Sequence, residues 1–202
     1  MSFETILALV SFAFVMSISP GPGNFLLLTS GVNFGYRRSL PLILGISIGF
    51  LTMVFFVGLG LGQILQEFPM VYTVLKFICA AYILWLAWKI ANSRSLSGGS
   101  EEAMGRPISF LQAALLQLVN PKAWAVALIV TVSYTNPDSY LFSLILLIGI
   151  FAIVNLPAIS IWALSGMALR HLLGQGRRIA LFNILMALLL VASLLPLLFD
   201  QV

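Results

Sequence analysis

The sequence predicts an all-α, polytopic integral membrane protein. Six transmembrane helices form a 3+3 inverted repeat in which helices 1 and 4 are broken. Three observations carry that prediction. Of the 202 residues, 61% are hydrophobic and only 8% are charged, against about a quarter charged in an ordinary globular domain. The apolar runs suffice for six spans of roughly 20 residues, the length that crosses about 30 Å of hydrocarbon. The basic residues alternate strictly from one connection to the next.

The spans read as 5–30, 40–63, 70–90, 108–134, 140–166 and 179–198. The N-terminal Met1-Ser2-Phe3-Glu4 carries no basic stretch, and no small-residue cleavage site follows before the prolines, so no signal peptide is expected. The connections are 31–39, 63–69, 91–107, 135–139 and 167–178. Only the third, with Ser97-Gly98-Gly99-Ser100-Glu101-Glu102, has the composition of a flexible linker. Residues 97–106 are therefore expected to join a first three-helix half, 1–96, to a second, 107–202, within one membrane domain.

The first connection holds Arg37 and Arg38, the third Arg94 and Arg106 with Lys89 at its edge, and the fifth Arg170, Arg177 and Arg178. The second and fourth hold Glu67 and Asp138 and no basic residue, while Glu4 and Asp200 lie near the termini. The positive-inside rule makes the odd connections cytoplasmic and both termini periplasmic. The net charge of +4 thus reflects topology and implies a lipid bilayer, not nucleic acid, as partner. The single cysteine, Cys79, excludes disulfide or paired-thiol chemistry within one chain.

Three spans per half give the halves opposite orientations, the arrangement of many secondary transporters. The first span of each half is interrupted. Ser19-Pro20-Gly21-Pro22-Gly23-Asn24 lies in span one, and Asn120-Pro121-Lys122 follows about 100 residues later in span four. Each proline deletes a backbone donor and clashes with the preceding turn, and the two glycines loosen the rest. In the second spans, Pro41 and Pro157 match loosely. At about 1.5 Å per residue, Pro20 lies about 22 Å from the outer face and Asn120 about 20 Å from the cytoplasmic face. The breaks therefore approach each other near the membrane's middle.

A broken helix exposes N–H groups at one half-helix start and carbonyls at the other's end. The former attract a carboxylate and the latter an ammonium, which matches a zwitterionic amino acid. The candidate substrate-binding residues are Pro20, Gly21, Pro22, Gly23, Asn24, Asn120, Pro121 and Lys122, with Asn155 as a further lining residue. Asn24 either binds substrate or caps the second half-helix. Lys122, with no acidic residue at similar depth, pairs with a substrate carboxylate, pairs with half-helix carbonyls, or loses its proton, with snorkelling as the bland alternative. Asn155 reads first as an interhelical hydrogen bonder. Gly45 and Gly49, and Gly58, Gly60 and Gly62, read as close-packing positions. Tyr82, Trp85 and Trp88 read as interfacial anchors, and Lys76 as a snorkelling residue. His171, the sole histidine, falls in a connection. The interior offers no acid–base pair and no metal constellation, so no enzyme, catalytic residue, metal or cofactor is expected.

The residues that carry the breaks also carry a family likeness. Ser19–Asn24, Thr29-Ser30-Gly31 and Gly35-Tyr36-Arg37-Arg38, with Gly45–Phe50, Ala80–Lys89 and Asn120-Pro121-Lys122-Ala123-Trp124, resemble the lysine exporter/homoserine-threonine resistance family of amino-acid exporters. The segments Ala81–Ile90 and Pro107-Ile108-Ser109-Phe110 are similar to its cysteine/O-acetylserine exporter subgroup. One departure is Gly23, where the family motif commonly has asparagine. The resemblance implies a bacterial inner-membrane exporter driven by the proton gradient, and it allows a homodimer.

The expectation is a secondary transporter that exports small, mostly neutral amino acids or derivatives by alternating access. The rival readings are a passive channel for small polar solutes, which would want a continuous polar stripe, and a non-transporting membrane partner protein, for which the short loops leave little docking surface.

Overall fold

The computed structural model describes residues 1–61, 69–92, 107–173 and 177–193. The described residues are helical throughout their ordered elements. In chain order these are α1 (Phe3–Ile18), α2 (Pro22–Phe34), α3 (Tyr36–Phe56), α4 (Pro69–Ala91), α5 (Phe110–Leu118), α6 (Pro121–Ser133), α7 (Tyr140–Leu173) and α8 (Arg177–Ala192). Two helical stretches, Tyr36–Leu61 and Pro137–Arg170, are each long and apolar enough to cross a membrane. The pairs α1+α2 and α5+α6 qualify as two more when each bent pair is counted as one span. The linker 97–106, Gly62, Glu67, Arg94 and Asp200, and the side chains of Lys76, Cys79 and His171, lie outside the described residues.

Local chemistry sets the element ends. Ser2 accepts from the Thr5 N–H at the start of α1, and Ser109 with Gln112 forms a capping box at the start of α5. The expected connection 31–39 shrinks to one residue. Gly35 adopts φ 78°, which lets the chain end α2 and start α3 without a loop, so Arg37 and Arg38 sit in the first turn of α3. Similarly, α7 runs on to Leu173, past the expected span end at 166. Hydropathy marks where a helix leaves the membrane, not where it stops.

Small residues fix the helix crossings. A Cβ on Gly31 would overlap the Ala163 carbonyl oxygen, and one on Gly166 would overlap that of Leu28, so α2 and α7 meet backbone to backbone. Gly45 and Gly49 face Phe110 and Ala114 of α5 in the same way, and Gly58 packs on Leu144. Gly60 corrects the packing expectation: nothing lies within 4 Å of its would-be Cβ. Its φ of 107° inside the π-helical turn Val57–Leu61 is what requires glycine. The remaining major contacts are α1 on α7, α3 on α7 and α4 on α8.

The core divides into two clusters. One gathers Leu26 and Leu27 of α2, Leu42 and Ile46 of α3, Ile83 and Leu86 of α4, Leu116 of α5, Ile159 and Ala163 of α7 and Phe182 of α8. The other gathers Leu9 and Ala13 of α1, Phe50 and Val54 of α3, Val126 and Val130 of α6 and Leu147 and Phe151 of α7. The boundary cuts α3 between Ile46 and Phe50, and α7 between Phe151 and Ile159. It also separates α1 from α2 and α5 from α6, at the two breaks. Arg37, Arg38, Lys89, Arg170, Arg177 and Arg178 lie at helix ends on the first cluster's side, whereas Glu4 and Asp138 lie at ends on the second's.

Candidate functional site

At the first break α1 and α2 are bent by 56°, and at the second α5 and α6 by 67°. Each second half-helix opens on a proline, Pro22 or Pro121, at its first helical position. The missing N–H costs nothing there, and the fixed φ favours the new helix. Pro20, Pro22 and Pro121 thus make the breaks.

The chain itself satisfies the carbonyls that α1 leaves open. The Ser19 N–H donates to Val15 O at 3.0 Å and Ser19 Oγ to Met16 O at 3.1 Å. Asn24 Nδ2 donates to Ser17 O and Ser19 O, each at 2.8 Å, and Trp162 Nε1 donates to Ile18 O at 3.1 Å. Lys122 Nζ donates to both Ser19 O and Ser19 Oγ at 2.7 Å. At the second break the backbone N–H groups of Val119 and Asn120 turn back to Leu116 O and Gln117 O, and Trp124 Nε1 donates to Leu118 O at 2.9 Å. An indole N–H therefore seals the final carbonyl of each first half-helix.

These contacts revise two expectations. Asn24 caps the first half-helix from the far side of the break, not the second. Lys122 takes the carbonyl option and ties the second break to the first. Its stem also explains Gly21, since a Cβ there would stand 3.0 Å from Lys122 Cδ. Asn155 bonds another helix as expected, donating from Nδ2 to Ser17 Oγ at 3.0 Å.

The N–H ends are treated oppositely. Neither Gly21 nor Asn120 caps its half-helix with a side chain. Pro22 and Pro121 have no N–H, and Phe25, Ala123 and Trp124 already donate to the cap carbonyls of Gly21 and Asn120. The backbone N–H groups left without an intrahelical acceptor are those of Gly23 and Asn24 in α2 and of Lys122 in α6. Both starts border one cavity of about 60 Å³. At about 30 Å³ of liquid volume per water, that is room for about two waters, or for a few heavy atoms of a solute.

Gly21, Gly23, Asn24, Asn120, Lys122 and Asn155 line the cavity, together with Ser17, Gln117 and an apolar wall that includes Ile46, Phe50, Val126, Phe151 and Ile159. It therefore sits at the boundary between the two core clusters. Two lining residues hold acceptors with no partner among the described residues, Asn120 Oδ1 and Asn155 Oδ1. Both asparagines are only 6% exposed. Sequence reasoning missed Ser17, Gln117, Trp124 and Trp162. Ser17 and Gln117 flank the two breaks and could have been found from that; Trp124 stood out only as part of the family motif and Trp162 not at all, since their capping roles depend on tertiary contact.

Comparison with known proteins agrees with this architecture. Residues 14–199 match the family described as LysE type translocator. The chain is similar to the cysteine/O-acetylserine efflux protein of Escherichia coli strain K12, 32% identical over 184 residues that cover 90% of this chain and 91% of that protein. The protein of the same name from Shigella sonnei strain Ss046 matches at the same identity and coverage. No solved structure matches the chain. Matched over nearly its whole length, the chain belongs to the LysE type translocator family, and it is a membrane translocator and not an enzyme.

Proposed function

We propose that the protein exports small, mostly neutral amino acids or their derivatives across the bacterial inner membrane, by alternating access around the cavity between the two breaks. The observation that carries this reading is the unequal treatment of the half-helix ends. The carbonyl ends are sealed by the chain's own donors, while two N–H ends without a side-chain cap meet at one cavity. Oriented N–H groups, with the partial positive charge of two helix starts, suit a carboxylate. Lys122 adds positive charge from the same wall. The names of the relatives, cysteine/O-acetylserine efflux proteins, support the same substrate class.

The packing supports a 3+3 inverted repeat with halves 1–96 and 107–202, joined by 97–106. Each first half-helix lies on the second span of the other half, α1 on α7 and α5 on α3, while α3–α7 and α4–α8 pair like with like. A two-fold relation between halves produces such exchange. Rocking one half against the other would open the cavity through one apolar cluster at a time. Basic residues flank the first cluster, so we assign that side to the cytoplasm and both termini to the periplasm. We take the driving force to be the proton gradient, on the strength of the family resemblance; loss of concentrative efflux on adding an uncoupler is the expected outcome. The same resemblance allows a homodimer. The apolar clusters on either side of the cavity, which leave no continuous polar stripe, favour a carrier over a passive channel.

The decisive experiment replaces Pro20 and Pro22 together by alanine and measures amino-acid transport in membrane vesicles. Alanine restores the donors and the helix propensity that the break removes, so transport is expected to fall at least tenfold with the protein still in the membrane. Full activity would sink the broken-helix site.

A further inference from the structure

We propose that Asn120 Oδ1 and Asn155 Oδ1 receive the substrate's free ammonium group, so that the protein selects primary amines and rejects N-acylated analogues. This rests on reading the cavity as the substrate site and adds how its cationic end is held.

An ammonium entering the cavity needs oxygens. No aspartate or glutamate lines it. The α1 carbonyls nearest the break are already bonded by Asn24, Trp162 and Lys122, and those at the end of α5 by Val119, Asn120 and Trp124. Among the fully buried side-chain oxygens of the described residues, only Asn120 Oδ1 and Asn155 Oδ1 have no partner, and both belong to residues that line the cavity. A buried acceptor left unsatisfied is costly, and the cost is removed only when a donor arrives. Asn155 is held by its own amide bond to Ser17 Oγ, which leaves its oxygen for the ligand.

The two asparagines come from different elements, the second break and α7. An ammonium carries three donors, enough for both acceptors. An N-acyl nitrogen has one N–H, no charge and added bulk, and leaves at least one acceptor orphaned. Sites built to pair a polar group reject the analogue that lacks it far more strongly than apolar pockets reject a methylene.

The test uses the purified protein in proteoliposomes, with counterflow of radiolabelled cysteine, serine and O-acetylserine. For whichever is carried, the unlabelled parent, its N-acetyl analogue and its methyl ester serve as competitors. The N-acetyl analogue is expected to need at least tenfold more than the parent for equal inhibition. In Asn155→Leu and Asn120→Leu that gap is expected to narrow to less than threefold as binding of the parent weakens. Asn155→Asp, which keeps an oxygen in place, is expected to retain the amine preference and serves where the leucine variants fail to reach the membrane. Equal inhibition by the N-acetyl analogue in the unmodified protein, an undiminished gap in the leucine variants, or a preference lost in Asn155→Asp would each overturn the ammonium site while leaving transport intact. Counterflow of none of the three labels would instead overturn the transport reading itself.

Discussion

Ser19 is where the two breaks meet. Its carbonyl accepts from Asn24 on one side and from Lys122 on the other, so a single backbone oxygen links α1, α2 and α6. Charge-assisted bonds of this kind are about twice as strong as neutral ones, and both Lys122 contacts are short at 2.7 Å. Lys122→Met keeps the length of the stem and its packing on Gly21 but removes the ammonium. Export measured in vesicles is expected to fall at least tenfold at an unchanged amount of membrane-inserted protein; a fully active variant would remove Lys122 from the mechanism. Of the nine residues that the sequence points to, the three prolines bend the chain and the other six line the cavity. Proline and glycine act on their own backbone, which is why the sequence exposes them. The caps from Trp124, Trp162 and Asn24 were not legible, because each depends on which carbonyl the fold brings within reach.

Among the elements, α2 and α7 cross most closely. Gly31 and Gly166 each admit the other helix's backbone carbonyl at a distance no Cβ would permit. Gly166→Ala is therefore expected to destabilise the protein by about 1–3 kcal/mol, as overpacking does, with a lower melting temperature in detergent. Gly149→Ala on the same helix is the control. Nothing lies within 4 Å of its added methyl, so it is expected to be neutral or to gain up to about 1 kcal/mol of helix propensity. Equal losses at both positions would show that the crossing is not what Gly166 serves. Glycines spaced four apart on α3 announced a packing face in the sequence, and the structure seats that face on α5. Gly60 shows the opposite case, a glycine that looks like packing and is there for its backbone angle. Spacing alone does not separate the two.

Taken whole, the molecule is a cavity held between two apolar clusters, with its basic helix ends gathered on one side. Membrane class and break positions were legible because composition and proline placement need no tertiary information. Helix lengths were not, since α7 continues a further seven residues past the expected span end at 166 to Leu173 and Gly35 alone makes the first connection. The orientation is open to direct measurement. Reporter fusions placed within residues 97–106 are expected to be fluorescent as a cytoplasmic protein and inactive as a periplasmic phosphatase. Fusions at 135–139 are expected to show the reverse. The opposite pattern would turn the export direction around.

The sealed carbonyl ends have one more effect, which concerns the transporter at rest. Channels strip sodium or potassium of hydration water by offering a full ring of carbonyl oxygens. Here the carbonyls of Ser17, Ile18, Ser19 and Leu118 at the two helix breaks are bonded to amide, indole and ammonium donors of the same chain. Among the described residues, two buried amide oxygens have no partner, too few to replace a hydration shell. An unloaded copy therefore provides inorganic cations with no dehydrated foothold halfway across the bilayer. A cell can keep many such copies idle in its energised membrane without draining the membrane potential through them.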